Sequence, residues 1–363
     1  MIGRYLENID ALFNYVKDVN CEKILFVCGS SFKNQDLFFN IKDKLEEMEC
    51  RISIFSGYSA NPKYEEVCAG IKVFNDNQCG IIIAVGGGSA IDVAKCIKAF
   101  ANHPCGAGFA SIQIESDVPL IAIPTTAGSG SEETRFAVLY YDGEKRSVES
   151  NCLLPDRVLF LPELLDSLPI YQRKATALDA YCHAIESYWS VGASEESKEY
   201  SKRVFKLIRQ YWKQYLDNHP EGNEKMLLAA NYAGKAINIT KTTAGHAMCY
   251  KLTSLYGIAH GHAAALCVSK LWHYLINYAG RCTDYDRIQY KHGIDDLKKN
   301  VEELKETMTY FQFILAEMNL ENPRADEVDY LILEASVNIE RLKNFPIKLD
   351  TLEINNLYHE ILE

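Results

Sequence analysis

Residues 80–101, GIIIAVGGGSAIDVAKCIKAFA, decide the fold class of this chain. An apolar run of strand length is followed by three glycines and a serine. The next residues have apolar side chains at the spacing of an amphipathic helix. The alternation continues on both sides, with strand-like runs at residues 23–29, 51–57 and 119–126 and helix-like runs at 34–48 and 63–77. This pattern predicts a parallel sheet covered by helices on both faces, with ligands beyond the carboxyl ends of its strands.

The pattern changes near residue 160, within a stretch marked by prolines. After this point few stretches have the pattern of a strand, and most have helical periodicity. The helical stretches include residues 231–247, 263–279, 295–318, 326–336 and 350–362. The sequence therefore predicts an α/β plus all-α chain, with a nucleotide-binding α/β domain over residues 1–160 and a helical domain over 161–363 that carries the metal and the chemistry.

Composition excludes several classes of protein. The 363 residues are 48% hydrophobic and 24% charged, which is typical of a soluble globular protein. A net charge of −11 disfavours nucleic acid as a partner, and the apolar runs are too short to cross a membrane. The 12 cysteines form no CxxC pair, and the N-terminus has no long apolar run of a signal peptide. We therefore expect reduced thiols and a cytoplasmic location.

Two short stretches contain residue types that bind metals. In ALDAYCHAIE, residues 177–186, Asp179 and His183 lie four apart, on one face of a helix. Further along, His246, His260 and His262 fall within 17 residues of Gly- and Ala-rich sequence. An Asp/His pair at this spacing is more often only hydrogen-bonded, but a carboxylate with several imidazoles in apolar surroundings favours a divalent transition metal.

Two loops are candidates for a nucleotide site. Gly86, Gly87 and Gly88 follow a predicted strand and open a predicted helix, where glycines let a phosphate approach the backbone and Ser89 can cap the helix. The loop PTTAGSGSE, residues 124–132, follows the next strand. A structural turn explains either loop alone about as well, but two such loops at successive strand ends favour a nucleotide.

Four motifs in this order, AVGGGSAIDVAKCIK, IPTTAGSGSE, ALDAYCHAIE and GHAMCYKLTSLYGIAHG, closely resemble the iron-containing (group III) alcohol dehydrogenases. These enzymes share a fold with glycerol dehydrogenase and dehydroquinate synthase. The resemblance covers roughly residues 23–271 and implies a Rossmann-like domain followed by a helical domain. It also implies that Fe²⁺ or Zn²⁺ is bound by four ligands, Asp179, His183, His246 and His260.

The resemblance implies a nicotinamide cofactor as well. The residues implied to contact it are Gly86, Gly87, Gly88, Ser89 and Asp92 in the pyrophosphate loop, Thr125, Thr126 and Ser129 in the second loop, and also Lys145 and Asn61. Many members that use NAD carry an aspartate after the first strand, where this chain has Gly29 followed by Ser30. Without that carboxylate a 2′-phosphate is not repelled, so we expect NADPH to be preferred over NADH.

The implied activity is hydride transfer between NAD(P)H and a small aldehyde or alcohol. Tyr250 stands where many members have a histidine beside the substrate, so Tyr250 and His262 are the candidates for proton transfer. Lys241, Lys251 and Arg135 would suit an anionic substrate, and this region is similar to the phosphonoacetaldehyde reductase subgroup; each lysine alone is as consistent with a surface position. We expect a homodimer or larger homo-oligomer.

Three alternatives remain from the sequence. One is a dehydrogenase of a neutral alcohol or diol, and another is a lyase of the dehydroquinate synthase type. A third is a protein that binds metal and nucleotide without catalysis, although the presence of all four implied ligands argues against it.

Overall fold

The computed structural model describes residues 4–102, 115–281 and 293–362. The chain forms two compact units, one of Met1–Thr126 with Gly130–Asp166 and the other of Ala127–Ser129 with Ser167–Glu363. The first unit ends close to the predicted boundary after residue 160. Three residues of the loop after Thr126 pack with the second unit.

A six-stranded parallel sheet organises the first unit. Its strands are β1 (Tyr5–Leu6), β2 (Lys23–Cys28), β3 (Arg51–Phe55), β4 (Ile81–Gly86), β5 (Leu120–Pro124) and β8 (Arg157–Leu159), arranged in the order β1-β8-β5-β4-β2-β3. Two further strands, β6 (Phe136–Tyr141) and β7 (Glu144–Glu149), form an antiparallel hairpin. The predicted parallel sheet is confirmed, whereas the hairpin and the short edge strands were not predicted.

Helices cover both faces of this sheet. They are α1 (Ile9–Val19), α2 (Ser30–Lys33), α3 (Asp36–Glu47), α4 (Tyr64–Asp76) and α5 (Gly88–Phe100). In β2, Leu25 and Val27 belong to the apolar cluster that includes residues of α4 and α5, while Ile24 and Phe26 belong to the cluster that includes residues of α1 and α3. Burial on both faces explains why these strands are continuously apolar instead of alternating.

The described part of the second unit is helical, as predicted. Its helices are α6 (Ile170–Trp189), α7 (Glu195–Leu216), α8 (Pro220–Thr240), α9 (Ala244–Tyr256), α10 (His260–Arg281), α11 (Gly293–Glu317), α12 (Glu327–Ala335), α13 (Ile339–Leu342) and α14 (Thr351–Leu362). The continuous helical periodicity predicted over residues 231–247 is wrong. Lys241 ends α8 with a φ of 60°, and α9 begins at Ala244. None of the described helices is both long and apolar enough to cross a membrane.

Candidate metal centre and nucleotide-binding loops

Helix α6 carries two of the predicted metal ligands on one face. Asp179 and His183 are each 6% exposed, and His183 Nε2 lies 3.9 Å from Asp179 Oδ1. The α-helical repeat places residues four apart one turn above each other, so the backbone of α6 fixes this pair.

The other two predicted ligands lie in the first turns of α9 and α10. His246 Nε2 lies 3.5 Å from Asp179 Oδ1, and its ring stacks on His183 with centroids 4.5 Å apart. His260 joins them, since one ligand atom each from Asp179, His246 and His260 lies within 4.8 Å of the others. The Nδ1 atom of His260 lies 3.6 Å from Cys249 Sγ, which leaves Nε2 as the atom available to bind a metal. A buried carboxylate surrounded by three imidazoles fits a divalent transition metal.

The electrostatics of this cluster favour metal-binding forms of two ligands. Burial opposes ionisation of Asp179, but His183 and the other imidazoles outweigh it and hold its pKa well below the usual range. Burial lowers the pKa of His183 to about 4, so at neutral pH its imidazole is uncharged and has a free lone pair. Burial also disfavours charge on His246, but Glu186 and Asp179 outweigh it and raise its pKa to about 9.

Glu186 is a residue of the site that the sequence analysis missed. It lies on α6, is 0% exposed, and its Oε2 is hydrogen-bonded to His246 Nδ1. The spacing in the sequence places Glu186 on the same helix face as the two ligands, because Asp179, His183 and Glu186 lie at positions i, i+4 and i+7. The sequence could not show that its partner would come from α9.

The two predicted proton-transfer residues have different surroundings. The ring of Tyr250 stacks on His260, with centroids 5.6 Å apart and planes 7° apart. His262 is 1% exposed, and its Nδ1 lies 3.2 Å from the hydroxyl of Tyr171, a residue the sequence analysis missed. His262 Nε2 has no hydrogen-bond partner among the described residues, and His262 lines a cavity of about 370 Å³. Burial lowers the pKa of His262.

The predicted anion-binding residues fall in both units. In the second unit, Lys241 and Lys251 are half-buried, and Lys241 has φ 60° and ψ 177°, a conformation used almost only by glycine. In the first unit, Arg135 Nε lies 3.1 Å from Glu149 Oε1, across the hairpin of β6 and β7. Glu149 therefore neutralises this guanidinium.

The predicted phosphate loop follows β4, next to the point where the strand order reverses. From β2 the chain passes to β3 on one side, and then to β4 on the other. Gly29 follows β2 and Gly86 ends β4, so both lie at this switch point, where parallel α/β sheets bind their ligands. The hydroxyl of Tyr58, another residue missed from the sequence, lies beside both glycines, 3.9 and 3.8 Å from their ideal Cβ positions.

The glycines of this loop allow close packing. A Cβ on Gly86 would lie 2.5 Å from Ala90 Cβ, and one on Gly87 would lie 3.2 Å from Thr126. Gly86, Gly87 and Gly88 all have negative φ angles, so backbone conformation does not require glycine at these positions. The predicted capping by Ser89 is wrong: Gly87 is the N-cap of α5, and Ser89 Oγ donates to the carbonyl of Ala60, 2.5 Å away.

The remaining predicted cofactor residues lie around this loop, with one exception. Thr125 N donates to Gly86 O at 3.0 Å, so the loops after β4 and β5 are joined, and Asn61 lies exposed on the loop after β3. Lys145 is half-buried on β7. Burial raises the pKa of Asp92, and Lys145 is one of the groups that oppose this rise. The exception is Ser129, which packs with the second unit.

Asp92 has structural partners of its own. Its carboxylate accepts hydrogen bonds from Ser131 Oγ at 2.5 Å and Val138 N at 3.0 Å. Lys95, also missed from the sequence, is 0% exposed one turn further along α5, and its ammonium contacts oxygens of Ser131, Thr134 and Phe136 at 2.6–3.2 Å. Together these two side chains attach residues 131–138 to α5.

Comparison with known proteins agrees with this arrangement. The sequence model of the iron-containing alcohol dehydrogenases matches residues 5–162, and that of the C-terminal region of the Fe-containing alcohol dehydrogenase family matches residues 174–362. The chain belongs to the iron-containing alcohol dehydrogenase family. The resemblance drawn from the four motifs is thereby confirmed, and with it the enzyme class, an oxidoreductase of the alcohol dehydrogenase type.

Three proteins that are similar to this chain have different names. Alcohol dehydrogenase 4 of Schizosaccharomyces pombe is 32% identical over 253 residues, and the match spans 68% of this chain but only 60% of that protein. Phosphonoacetaldehyde reductase of Streptomyces viridochromogenes is 29% identical over 279 residues, covering 72% and 69%. The crystal structure of sulfoacetaldehyde reductase from Bifidobacterium kashiwanohense in complex with NAD⁺ is 26% identical, with a TM-score of 0.78 over 99% of this chain and 96% of that one.

Proposed function

We propose that this chain transfers hydride between NAD(P)H and a small aldehyde, with a divalent metal held by Asp179, His183, His246 and His260. The observation that carries the proposal is the convergence of three buried side chains and the half-buried His260 in one cluster, with Asp179 Oδ1 3.5 Å from His246 Nε2 and 3.9 Å from His183 Nε2. Membership of the iron-containing alcohol dehydrogenase family supports the reaction class.

Fe²⁺ or Zn²⁺ is the proposed metal, because one carboxylate and three imidazoles suit either ion. When bound, it would supply Lewis-acid polarisation of the substrate carbonyl. The protein supplies the donor atoms in the required form, with Asp179 ionised and His183 neutral at neutral pH. Burial of Asp179, His183 and His246 strengthens the electrostatic interactions among them.

The proposed nucleotide site is the switch point between β2 and β4, with NADPH preferred over NADH. Residues 86–88 lead into α5, a helix of 13 residues whose N-terminus favours a pyrophosphate. Gly29 carries no carboxylate toward the ribose, and Ser30 is exposed beside it. A 2′-phosphate would therefore meet hydroxyl donors instead of a negative charge.

Tyr250 and His262 are the proposed groups for proton transfer to the substrate oxygen. Tyr250 stacks on the ligand His260, which supports a position close to the reacting groups. The hydroxyl of Tyr171 contacts His262 and also accepts a hydrogen bond from Ala259 N at 2.9 Å, so the imidazole and the start of α10 are linked. A neutral imidazole hydrogen-bonded to a phenol can carry a proton.

We further propose an anionic group on the substrate, as in phosphonoacetaldehyde. Lys241 supports this, because a non-glycine residue held in its conformation stores about 1–3 kcal/mol of strain, which proteins concentrate at functional sites. Lys251 lies five residues after His246 on the same helix. The names of two relatives, phosphonoacetaldehyde reductase and sulfoacetaldehyde reductase, both describe aldehydes with an acidic group.

The proposal is tested by the oxidation of NADPH and NADH with a panel of aldehydes, on protein loaded with Fe²⁺ or Zn²⁺. We expect turnover that depends on the metal, with phosphonoacetaldehyde or sulfoacetaldehyde preferred over acetaldehyde. Metal-loaded protein that oxidises neither cofactor with any aldehyde would refute the activity. Equal turnover of charged and neutral aldehydes would leave the dehydrogenase and refute the anionic substrate.

A pair of lysine variants tests the anion site directly. Lys241→Met should raise KM for the anionic aldehyde at least about tenfold, roughly the 1.4 kcal/mol of one charge-assisted hydrogen bond, with little change for acetaldehyde. The matched control is Lys206→Met, which removes an exposed lysine of α7 and should change neither KM.

A neutral alcohol or diol is the alternative substrate, supported by the relative named alcohol dehydrogenase 4. The family match over residues 5–162 and 174–362 favours the dehydrogenase over the lyase alternative. Cytoplasmic location and assembly into a homodimer or larger oligomer stay predictions from the sequence.

A further inference from the structure

We infer that Glu186 is a positioning residue that holds His246 in the one tautomer able to bind the metal. The inference rests on the proposed metal site and adds a residue that does not itself bind the ion. Glu186 comes from the same helix as Asp179 and His183, and its Oε2 is hydrogen-bonded to His246 Nδ1. His246 Nε2, on the other side of the ring, lies 3.5 Å from Asp179 Oδ1.

The second oxygen of Glu186 is held by several donors at once. Oε1 accepts hydrogen bonds from Gly245 N at 2.8 Å, Thr243 N at 3.1 Å and Thr243 Oγ1 at 2.5 Å. Trp189 Nε1 in turn donates to Thr243 Oγ1 at 2.9 Å. The carboxylate therefore caps the N-terminus of α9 with Oε1 while Oε2 orients the histidine in the first turn of that helix.

Gly245 makes this arrangement sterically possible. A Cβ at Gly245 would lie 3.0 Å from Glu186 Oε1 and 2.6 Å from Val268 Cγ2. Without a side chain, the backbone of α9 approaches α6 closely enough for its N–H groups to reach the carboxylate. The position of His246 relative to Asp179 is thus fixed through Glu186.

The chemistry of the pair determines the tautomer. A carboxylate ionised in this setting only accepts, so His246 Nδ1 must carry a proton. A metal binds only the neutral ring, and in the neutral ring with Nδ1 protonated the lone pair is on Nε2. In Glu186→Gln the amide oxygen stays with the donors of Thr243 and Gly245, so the amide NH₂ faces Nδ1. Nδ1 must then accept, the proton moves to Nε2, and the lone pair for the metal is lost.

The test compares metal affinity in Glu186→Gln with a matched control. We expect Glu186→Gln to lower the affinity for Zn²⁺ and Co²⁺ about 10–100-fold in competition with a chelator, and to change the visible absorption of the Co²⁺ form. Glu303→Gln is the control, because it makes the same substitution at a carboxylate of α11 that accepts a hydrogen bond from Tyr188, and its affinity should stay within about threefold of wild type. Thermal unfolding of the metal-free proteins reports any loss of structure separately.

The outcomes separate this inference from the proposed function. If the wild type does not bind Zn²⁺ or Co²⁺, the proposed metal site is wrong. If the wild type binds them and Glu186→Gln binds equally well with an unchanged Co²⁺ spectrum, the role of Glu186 is wrong. Should Glu186→Gln not fold, nitrogen NMR of histidine-labelled wild type with Zn²⁺ decides: a protonated Nδ1 on His246 supports the role, and a metal-bound Nδ1 overturns it.

Discussion

Gly261 offers a direct test of how closely the helices of the metal site must pack. It lies in the first turn of α10, directly after His260. A Cβ at this position would lie 2.0 Å from the carbonyl oxygen of Ala175 and 2.7 Å from Asp179 Cβ, both on α6. Because real Cβ atoms essentially never approach closer than 3.0 Å, Gly261→Ala must move α10 from α6 by about 1 Å.

The size of the effect follows from that displacement. Forcing one methyl group into a packed interior destabilises a folded protein by about 1–3 kcal/mol. The displacement also separates His260 from Asp179, whose ligand atoms lie within 4.8 Å of each other. A misplacement of about 1 Å can lower a catalysed rate about 100-fold. We therefore expect Gly261→Ala to lower the melting temperature of the metal-free protein, and to weaken Zn²⁺ binding by at least about tenfold.

Gly257→Ala is the matched control, four residues earlier. Gly257 has a φ of +68°, and a Cβ there would meet nothing within 4 Å. That variant should lose about 1–2 kcal/mol to backbone strain and keep its metal affinity. Chelator competition and thermal unfolding of the two variants separate strain from displacement. Gly261→Ala with the wild-type affinity for Zn²⁺ would show that the close contact of α6 and α10 does not position the ligands.

Three further variants test other parts of the structure. An aspartate fits at Gly29, because the nearest described atom to its ideal Cβ position is the Tyr58 hydroxyl at 3.9 Å. In Gly29→Asp the carboxylate should repel a 2′-phosphate. In steady-state kinetics, kcat/KM for NADPH relative to NADH should therefore fall about 10–100-fold. Lys95→Met should destabilise the protein by about 3–5 kcal/mol in urea unfolding, because its buried acceptors lose their partner. Burial lowers the pKa of Lys95 to about 8 from 10.5, so between pH 8 and 10.5 the unfolded chain binds more protons than the folded chain. The free energy of unfolding of the wild type should therefore rise across that pH range relative to that of Lys95→Met. Lys241→Gly should gain about 1–2 kcal/mol of stability by relieving its φ of 60°, while KM for an anionic aldehyde rises.

The elements with strong periodicity could be predicted from the sequence. Strands β2, β4 and β5 are buried on both faces, and their continuous apolar runs identify them from the pattern alone. Strands β1 and β8 have only two and three residues, too short for any periodicity. The hairpin of β6 and β7 depends on contacts made far along the chain, such as that of Asp92 with Val138 N, which no local pattern contains.

The same distinction holds within the candidate site. Asp179 and His183 could be paired from the sequence, because an α-helix fixes the geometry of residues four apart. Glu186 could not be assigned, since its function depends on the start of α9, and the helical periodicity across residues 231–247 concealed the break that creates that start. The break depends on the unusual backbone of Lys241, a residue whose type gives no local reason for it.

The charge balance of the cluster links its two carboxylates to the choice of ion. Asp179 and Glu186 are 6% and 0% exposed, and three imidazoles around them are neutral when they bind a metal. Two buried negative charges balance the charge of one divalent cation. His246 and His260 lie at helix N-termini, whose partial positive charge adds to that of the cation, so both carboxylates are needed to offset the total positive charge. A trivalent ion would leave an uncompensated buried charge, which is unfavourable by several kcal/mol. The protein should therefore bind Fe²⁺ or Zn²⁺ more tightly than Fe³⁺, and Glu186→Gln should weaken the binding of every divalent ion.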